Sequence, residues 1–377
     1  RIVLCRVHDG ALITVTDSLS LNTSPAWSPR GDWLYFISDR DGPRDIYAIP
    51  IASHGETNGR PIRLSAGLGA HNISLSGTGN SVAYSLYTTR SSIWSIPVPV
   101  HPPATSAAAT RVTGANEYIE RFDVSRDGKW LYYDTDLSGN VDIFRIPTNG
   151  GEAEQLTTDP ADDFAPSVSP DGMAFAFHSW RSGSRDIFVQ RLDGTGVEQV
   201  THSPRQEALP SWAPGGEALA FTELTAKGGV WIVRRDAAGH WGTPAQRLTG
   251  GARPQWSPDG RSIAFLASSR GGSIEIVPVD TDPVRTVVDA THPGIPFPED
   301  MVWATDDLIF FASHDPRGNS LIWSVSTNGG SPMLQLRLDP VLHPSYRSTF
   351  VVRNGRIYFS TEDRQSDIWM MDVRKPQ

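Results

Sequence analysis

The chain of 377 residues sets 33 Lys and Arg against 42 Asp and Glu, a formal charge of -9, and carries 34 Gly, 29 Pro and 12 Trp. That sign opposes the counterion release on which phosphate binding depends, so no nucleic-acid partner is expected, and no apolar run is long enough for a membrane span. The single cysteine, Cys5, excludes an internal disulfide and a cysteine metal cluster. The chain opens on Arg1 with no charged-then-apolar leader, as expected of a processed protein or a piece of a longer one.

Taken in order, the chain first offers two short strands, Ile2 to Val7 and Ala11 to Thr16, and then a repeat. The turn glycines Gly31, Gly79, Gly128, Gly172, Gly216 and Gly260 recur at steps of 48, 49, 44, 44 and 44 residues. Two degraded copies follow, near Asp307 and Gly355, which makes eight. Each copy predicts four strands. The first ends in the turn, as in Ser167-Val168-Ser169-Pro170, and the second is an apolar run such as Phe175 to Phe177. The third has the pattern Asp186-Ile187-Phe188, and the fourth ends like Gln155-Leu156-Thr157. Runs of β-branched and aromatic residues between Gly, Pro, Asn and Asp are strand signals, and no stretch of helical period competes with them.

Four strands per 40 to 50 residues predict an all-β fold, a β-propeller of four-stranded antiparallel blades. Eight copies predict eight blades in one domain over 1–377, with seven blades and a capping hairpin as the alternative. The last copy lacks a fourth strand, so residues 1–20 are expected to complete it and close the ring, which removes an exposed edge.

The unit Trp256-Ser257-Pro258-Asp259-Gly260, its relatives at 27–31, 168–172 and 212–216, and the Asp-Ile-aromatic strands resemble the TolB-type propeller repeat. The resemblance covers essentially the whole chain. It implies a periplasmic or otherwise extracytoplasmic setting. The ending Glu362 to Trp369 is also similar to the C-termini of bacterial multidomain regulators and receptor-like kinases that carry such a propeller.

Chemistry-bearing residues divide into repeated and unrepeated ones. The turn carboxylates Asp127, Asp171 and Asp259 read as turn chemistry, because Asp at that position bonds its own backbone. The pairs Asp39-Arg40 and Asp363-Arg364, with Arg181 and Arg270, read as structural ties between adjacent blades. No Gly-x-Ser-x-Gly pentapeptide occurs, so the hydrolase domain that accompanies a related propeller in prolyl-oligopeptidase-like enzymes is not encoded here. His71, His178, His202, His314 and His343 lack metal-ligand spacing and read as packing or surface groups, and neither a metal nor another cofactor is expected.

Where the copies stop agreeing, just upstream of each first strand, the residues face the channel mouth in any propeller of this connectivity. The candidate ligand-binding set read there is His71, Glu120, Arg121, Asp163, Glu207, Arg253, Asp300 and Arg347, with Arg121 and Arg253 able to clamp a carboxylate if they converge. The expected function is a non-catalytic scaffold that recognises a protein, peptide or small polar ligand, within a larger protein or assembly. The alternative is a polysaccharide lyase or glycosidase that uses rim carboxylates or a histidine-held metal.

Overall fold

The computed structural model describes residues 1–16, 20–41, 44–114, 117–224, 228–242, 246–267, 272–280, 283–291, 294, 296–344 and 349–372. They form β-strands and one short 3-10 turn, Ser106–Ala108, and divide into two compact units: residues 1–89 with 364–377, and residues 90–363.

In the larger unit the predicted four-strand grammar appears five times in succession. The first sheet comprises Phe122–Val124, Trp130–Thr135, Asp142–Pro147 and Glu154–Gln155, in that order and antiparallel. The second begins at Asp163–Val168, the third at Glu207–Trp212, the fourth at Ala252–Trp256 and the fifth at Asp300–Thr305. In the fifth, Ala104–Thr105 adds a parallel strand beside Met333–Arg337.

Each first strand hands over to the second through the predicted turn. The amide of Gly172 donates to the carbonyl of Ser169, and Gly172 sits at φ +70°, where a side chain is strained. The same bond joins Gly128 to Ser125, Gly216 to Ala213 and Gly260 to Ser257. Second strands are buried on both faces, as Ala174–Ser179 shows, so they read as unbroken apolar runs rather than as alternation.

Packing links the sheets in sequence. Tyr132 and Ile143 of the first sheet meet Phe175 and Phe177 of the second, and Ala176 and Ile187 meet Leu219 and Phe221 of the third. One large cluster then runs from Ala220 through Phe265 to Phe311. The inner strands pack side by side in the same order, and Phe350–Arg353 lies against both Asp300–Thr305 and Phe122–Val124.

The sheet holding Phe350–Arg353 corrects the expected closure. Among the described residues Val3–Cys5 and Leu12–Thr14 pair only with each other, and the strand beside Arg356–Asp372 is Ser81–Pro97. Both are 17 residues long. The reason is local. Where other copies turn between second and third strands at Gly or Asn, Leu86 to Ser92 has no Gly, Pro, Asn or Asp, and Thr361 to Ser366 has no Gly, Pro or Asn. Each pair of strands therefore runs straight on as one. Within residues 90–363 the sheet order is Thr110–Arg111, Ser81–Pro97, Arg356–Asp372, Phe350–Arg353. Trp94 Nε1 donates to Thr361 Oγ1 at 3.0 Å and Arg356 Nε to Ser95 Oγ at 2.7 Å.

The smaller unit holds the sheet Asn22–Trp27, Trp33–Ser38, Asp45–Pro50 and Ile62–Arg63, the N-terminal hairpin, and Ala70–Leu75 paired with the start of Ser81–Pro97.

Candidate functional site

A cavity of about 750 Å³ runs along the inner strands of the larger unit. At one end it is lined by the turns, through Pro170, Pro214 and Pro258, and at the other by Arg121, Ala165, Leu209, Arg253 and Asp300. These five residues occupy one position. Each lies seven residues upstream of its turn glycine or, for Asp300, of the corresponding Asp307. We refer to them as the collar.

The backbone at this position is unusual. Ala165, Leu209 and Arg253 have φ of 54°, 57° and 58°, each is followed by proline, and each sits where the inner strand carries one extra residue relative to its partner. Neighbouring strands stabilise the conformation. The Ala165 amide donates to Asp134 Oδ2 at 2.9 Å, and the Arg253 amide donates to Thr222 Oγ1 at 2.9 Å. Asp134 Oδ1 also accepts the amides of Glu120 and Arg121, and burial, which outweighs these bonds, pushes its carboxyl up to about 7.

Arg121 and Arg253 converge on a carboxylate supplied by the chain itself. Arg121 Nη1 pairs with Asp300 Oδ2 at 2.5 Å and Arg253 Nη1 with Asp300 Oδ1 at 3.1 Å. Asp300 is nearly buried, Arg121 is 17% exposed and Arg253 32%. Burial, and after it the charge of Arg121, pulls the Arg253 guanidinium below its ordinary range.

Other candidates are placed elsewhere. Glu120 precedes the collar, its Oε2 accepting from Tyr118 at 3.1 Å. Asp163 is buried against Arg181, whose Nη2 donates to both carboxylate oxygens at 2.8 and 2.6 Å. Glu207 is buried, accepts from Ser203 Oγ at 2.6 Å, and has its carboxyl pushed up by burial. Neither Asp163 nor Glu207 lines the cavity. Both lie two residues before the collar, and the extra residue between them and the turn shifts the alternation, so they face their own sheet. His71 belongs to the smaller unit, beside Arg44, and Arg347 lies outside the described residues.

The histidines are dispersed. His178 is buried, stacks on Phe164 at 5.7 Å, and is held down to about 3 by burial and then by Arg185 and Arg121. His314 bonds Glu299 at 2.8 Å, His343 bonds Ser106 at 2.9 Å, and His202 is exposed. Among the described residues no group of three or more His, Cys, Asp or Glu is placed to hold a metal.

Arg181 also corrects the expected tie between blades. It bonds Asp163 within its own sheet and covers the Phe177 and Phe188 rings at 5.1 Å, and Arg40 likewise bonds Asn22 of its own sheet at 2.8 Å. A loop arginine reaches the ends of its own strands sooner than the next sheet. Arg270 lies outside the described residues, as does the side chain of Arg364. Sheet-to-sheet ties come instead from tryptophans of the turn motif: Trp212 Nε1 donates to the Ser167 carbonyl at 3.0 Å and Trp256 Nε1 to that of Ser211 at 3.1 Å.

These repeats match the TolB beta propeller domain at residues 73–283 and 160–339. The chain belongs to the TolB beta propeller domain family. An uncharacterized protein of Agrobacterium fabrum is 28% identical over 152 residues, 40% of this chain and 48% of the relative, so the chain spans about half of that relative's length. A structure described as a TolB from Agrobacterium tumefaciens superposes with a TM-score of 0.54 at 20% identity, over 73% of this chain and 99% of the other, and shares the fold. Oligogalacturonate lyase from Vibrio parahaemolyticus gives a TM-score of 0.43 at 13% identity, over 86% of this chain and 96% of the other. No helix of the described TolB-family chain is long and apolar enough to cross a membrane.

Proposed function

We propose that residues 90–363 form a six-bladed propeller, closed by the sheet that joins residues 81–97 to 356–372, and that its channel recognises a protein, peptide or small polar ligand without catalysing a reaction. The observation that carries this reading is the collar. One sequence position recurs from sheet to sheet, with one backbone device at three of its five copies, Ala165, Leu209 and Arg253, yet the side chains it presents to a cavity of about 750 Å³ are two cations, one anion and two apolar groups. A repeat that kept its backbone for folding alone has no need to vary there, whereas a binding surface does.

The lyase or glycosidase alternative depends on rim carboxylates able to act on a bond. Asp163 is committed to Arg181, and Asp300 to Arg121 and Arg253, so both serve as counter-ions. This engagement favours the binding reading over the catalytic one.

The test is a peptide-display selection against the full chain, with folded Leu209→Trp, which fills the collar, as the counter-target. Selected peptides are expected to bind the parent chain and to lose about tenfold or more in affinity on Leu209→Trp, a difference of roughly 1.4 kcal/mol. Peptides that bind both proteins equally would overturn the channel as the recognition site, and no enrichment at all would overturn a peptide as its ligand.

A further inference from the structure

We propose that the collar binds an aliphatic carboxylate, its anionic head between Arg121 and Arg253 and its apolar tail against Ala165 and Leu209. The inference rests on the reading of the channel as the binding site and names the chemistry it takes.

The order of the sheets sets out the pattern. From the first sheet to the fifth the collar reads Arg121, Ala165, Leu209, Arg253, Asp300, so the two apolar residues span the arc between the arginines and Asp300 stands outside that arc. Asp300 bonds both guanidinium groups through Nη1 alone. A guanidinium presents five N–H donors, and among the described residues Nε and Nη2 of Arg121 and Arg253 have no hydrogen-bond partner. Of the acidic neighbours, Glu299 bonds His314 and acts on Arg253 through its charge, and Glu120 bonds Tyr118.

Charge gives the same answer. Two largely buried guanidinium groups share the oxygens of one carboxylate, and a cation drawn from water is costly where its donors are not met by an anion. Burial and mutual repulsion pull Arg253 below its ordinary range, as expected of such a pair. A carboxylate meets the unused donors bidentately. Phosphate would satisfy the charge but leave the Ala165 and Leu209 arc against water, whereas a short aliphatic chain covers it. The shared chemistry fits a free short-chain acid and equally a peptide's C-terminal carboxylate on an aliphatic residue.

Calorimetry on the full chain separates the outcomes. Hexanoate is expected to bind and hexylamine not to. Arg121→Gln and Arg253→Gln are each expected to weaken hexanoate about tenfold, the loss of one charge-assisted pair. Because those variants also unpair Asp300, Asp300→Asn provides a test of opposite sign: it removes the competing carboxylate and is expected to tighten hexanoate several-fold. A heptapeptide ending in leucine, with free and with amidated C-terminus, decides the source. Stronger binding of the free form assigns a chain end, and hexanoate binding with no difference between the peptides assigns a free acid. Equal binding of hexylamine, no hexanoate binding, or no gain from Asp300→Asn would overturn the carboxylate site. If both peptide forms bind alike, hexanoate does not, and Leu209→Trp abolishes the peptides, the channel stands and only the carboxylate specificity falls.

Discussion

The two ends of each inner strand use repetition in opposite ways. At the turn end the side chains repeat and so do their bonds: Ser125 Oγ donates to Asp127 at 2.6 Å, Ser169 to Asp171 at 2.5 Å and Ser257 to Asp259 at 2.6 Å. The bond from Ser257, followed by one from the Arg261 amide, holds the Asp259 carboxyl below its ordinary range. At the collar end the backbone repeats, with its left-handed residue and its proline, while the side chains range from Ala165 to Arg253. The turn end ties sheet to sheet through side chains that recur, Trp212 and Trp256, whereas the collar end ties them through backbone amides and the Asp300 ion pairs and lets its side chains vary.

This contrast can be broken by measurement. Trp256 is 7% exposed and ties its strand to Ser211 of the preceding sheet. Trp256→Ala is expected to cost about 3–5 kcal/mol in urea unfolding, from lost burial and the cavity left behind. A loss under about 1 kcal/mol would show that the turn end does not carry the sheets.

Acid supplies the next largest effect. His178 titrates near 3 in the folded chain against an ordinary 6.5, so the unfolded chain takes up the proton first as pH falls. Stability from this residue is complete above about pH 6.5 and drains away toward pH 3, at up to about 1.4 kcal/mol per pH unit. His178→Gln is expected to flatten the slope of stability between pH 6 and 4, and an unchanged slope would assign it to other groups.

A smaller effect comes from the turn backbone. A Cβ on Gly172 would meet nothing within 4 Å, so Gly172→Ala isolates the cost of φ +70°, about 1 kcal/mol by thermal or urea denaturation. The smallest expected change is at the collar. Arg253 is about a third exposed and Asp300 keeps Arg121, so Arg253→Gln is expected to alter stability by less than about 1 kcal/mol. A larger loss would make the collar a structural tie like the turn.

The turns were legible because they are local: Ser169, Pro170, Asp171 and Gly172 set their own geometry with bonds inside a few residues. The collar was legible in part. Counting seven residues back from the turn glycine finds Arg121, Ala165, Leu209 and Arg253 together, but a search for polar residues passes over Ala165 and Leu209 and stops at Asp163 and Glu207. The pairing of 81–97 with 356–372 was hidden for another reason. Missing turn residues show that a strand runs on, but a partner more than 260 positions away is chosen by packing, as when Ile93 meets Tyr358.

That pairing also bears on how the chain reaches its native state. The first to fourth sheets each consist of neighbouring hairpins and can form as the chain leaves the ribosome. Strand 81–97 finds local mates on one side only, Ala70–Leu75 at its start and Thr110–Arg111 near its end, and its other edge must wait for 356–372, the last strand synthesised among the described residues. Until then it presents an unpaired edge bearing Ile93, Trp94 and Ile96. Long loop closures of this kind are slow, so the final step of folding joins the two extremes of residues 90–363 and leaves the early strand as the segment most in need of protection from aggregation.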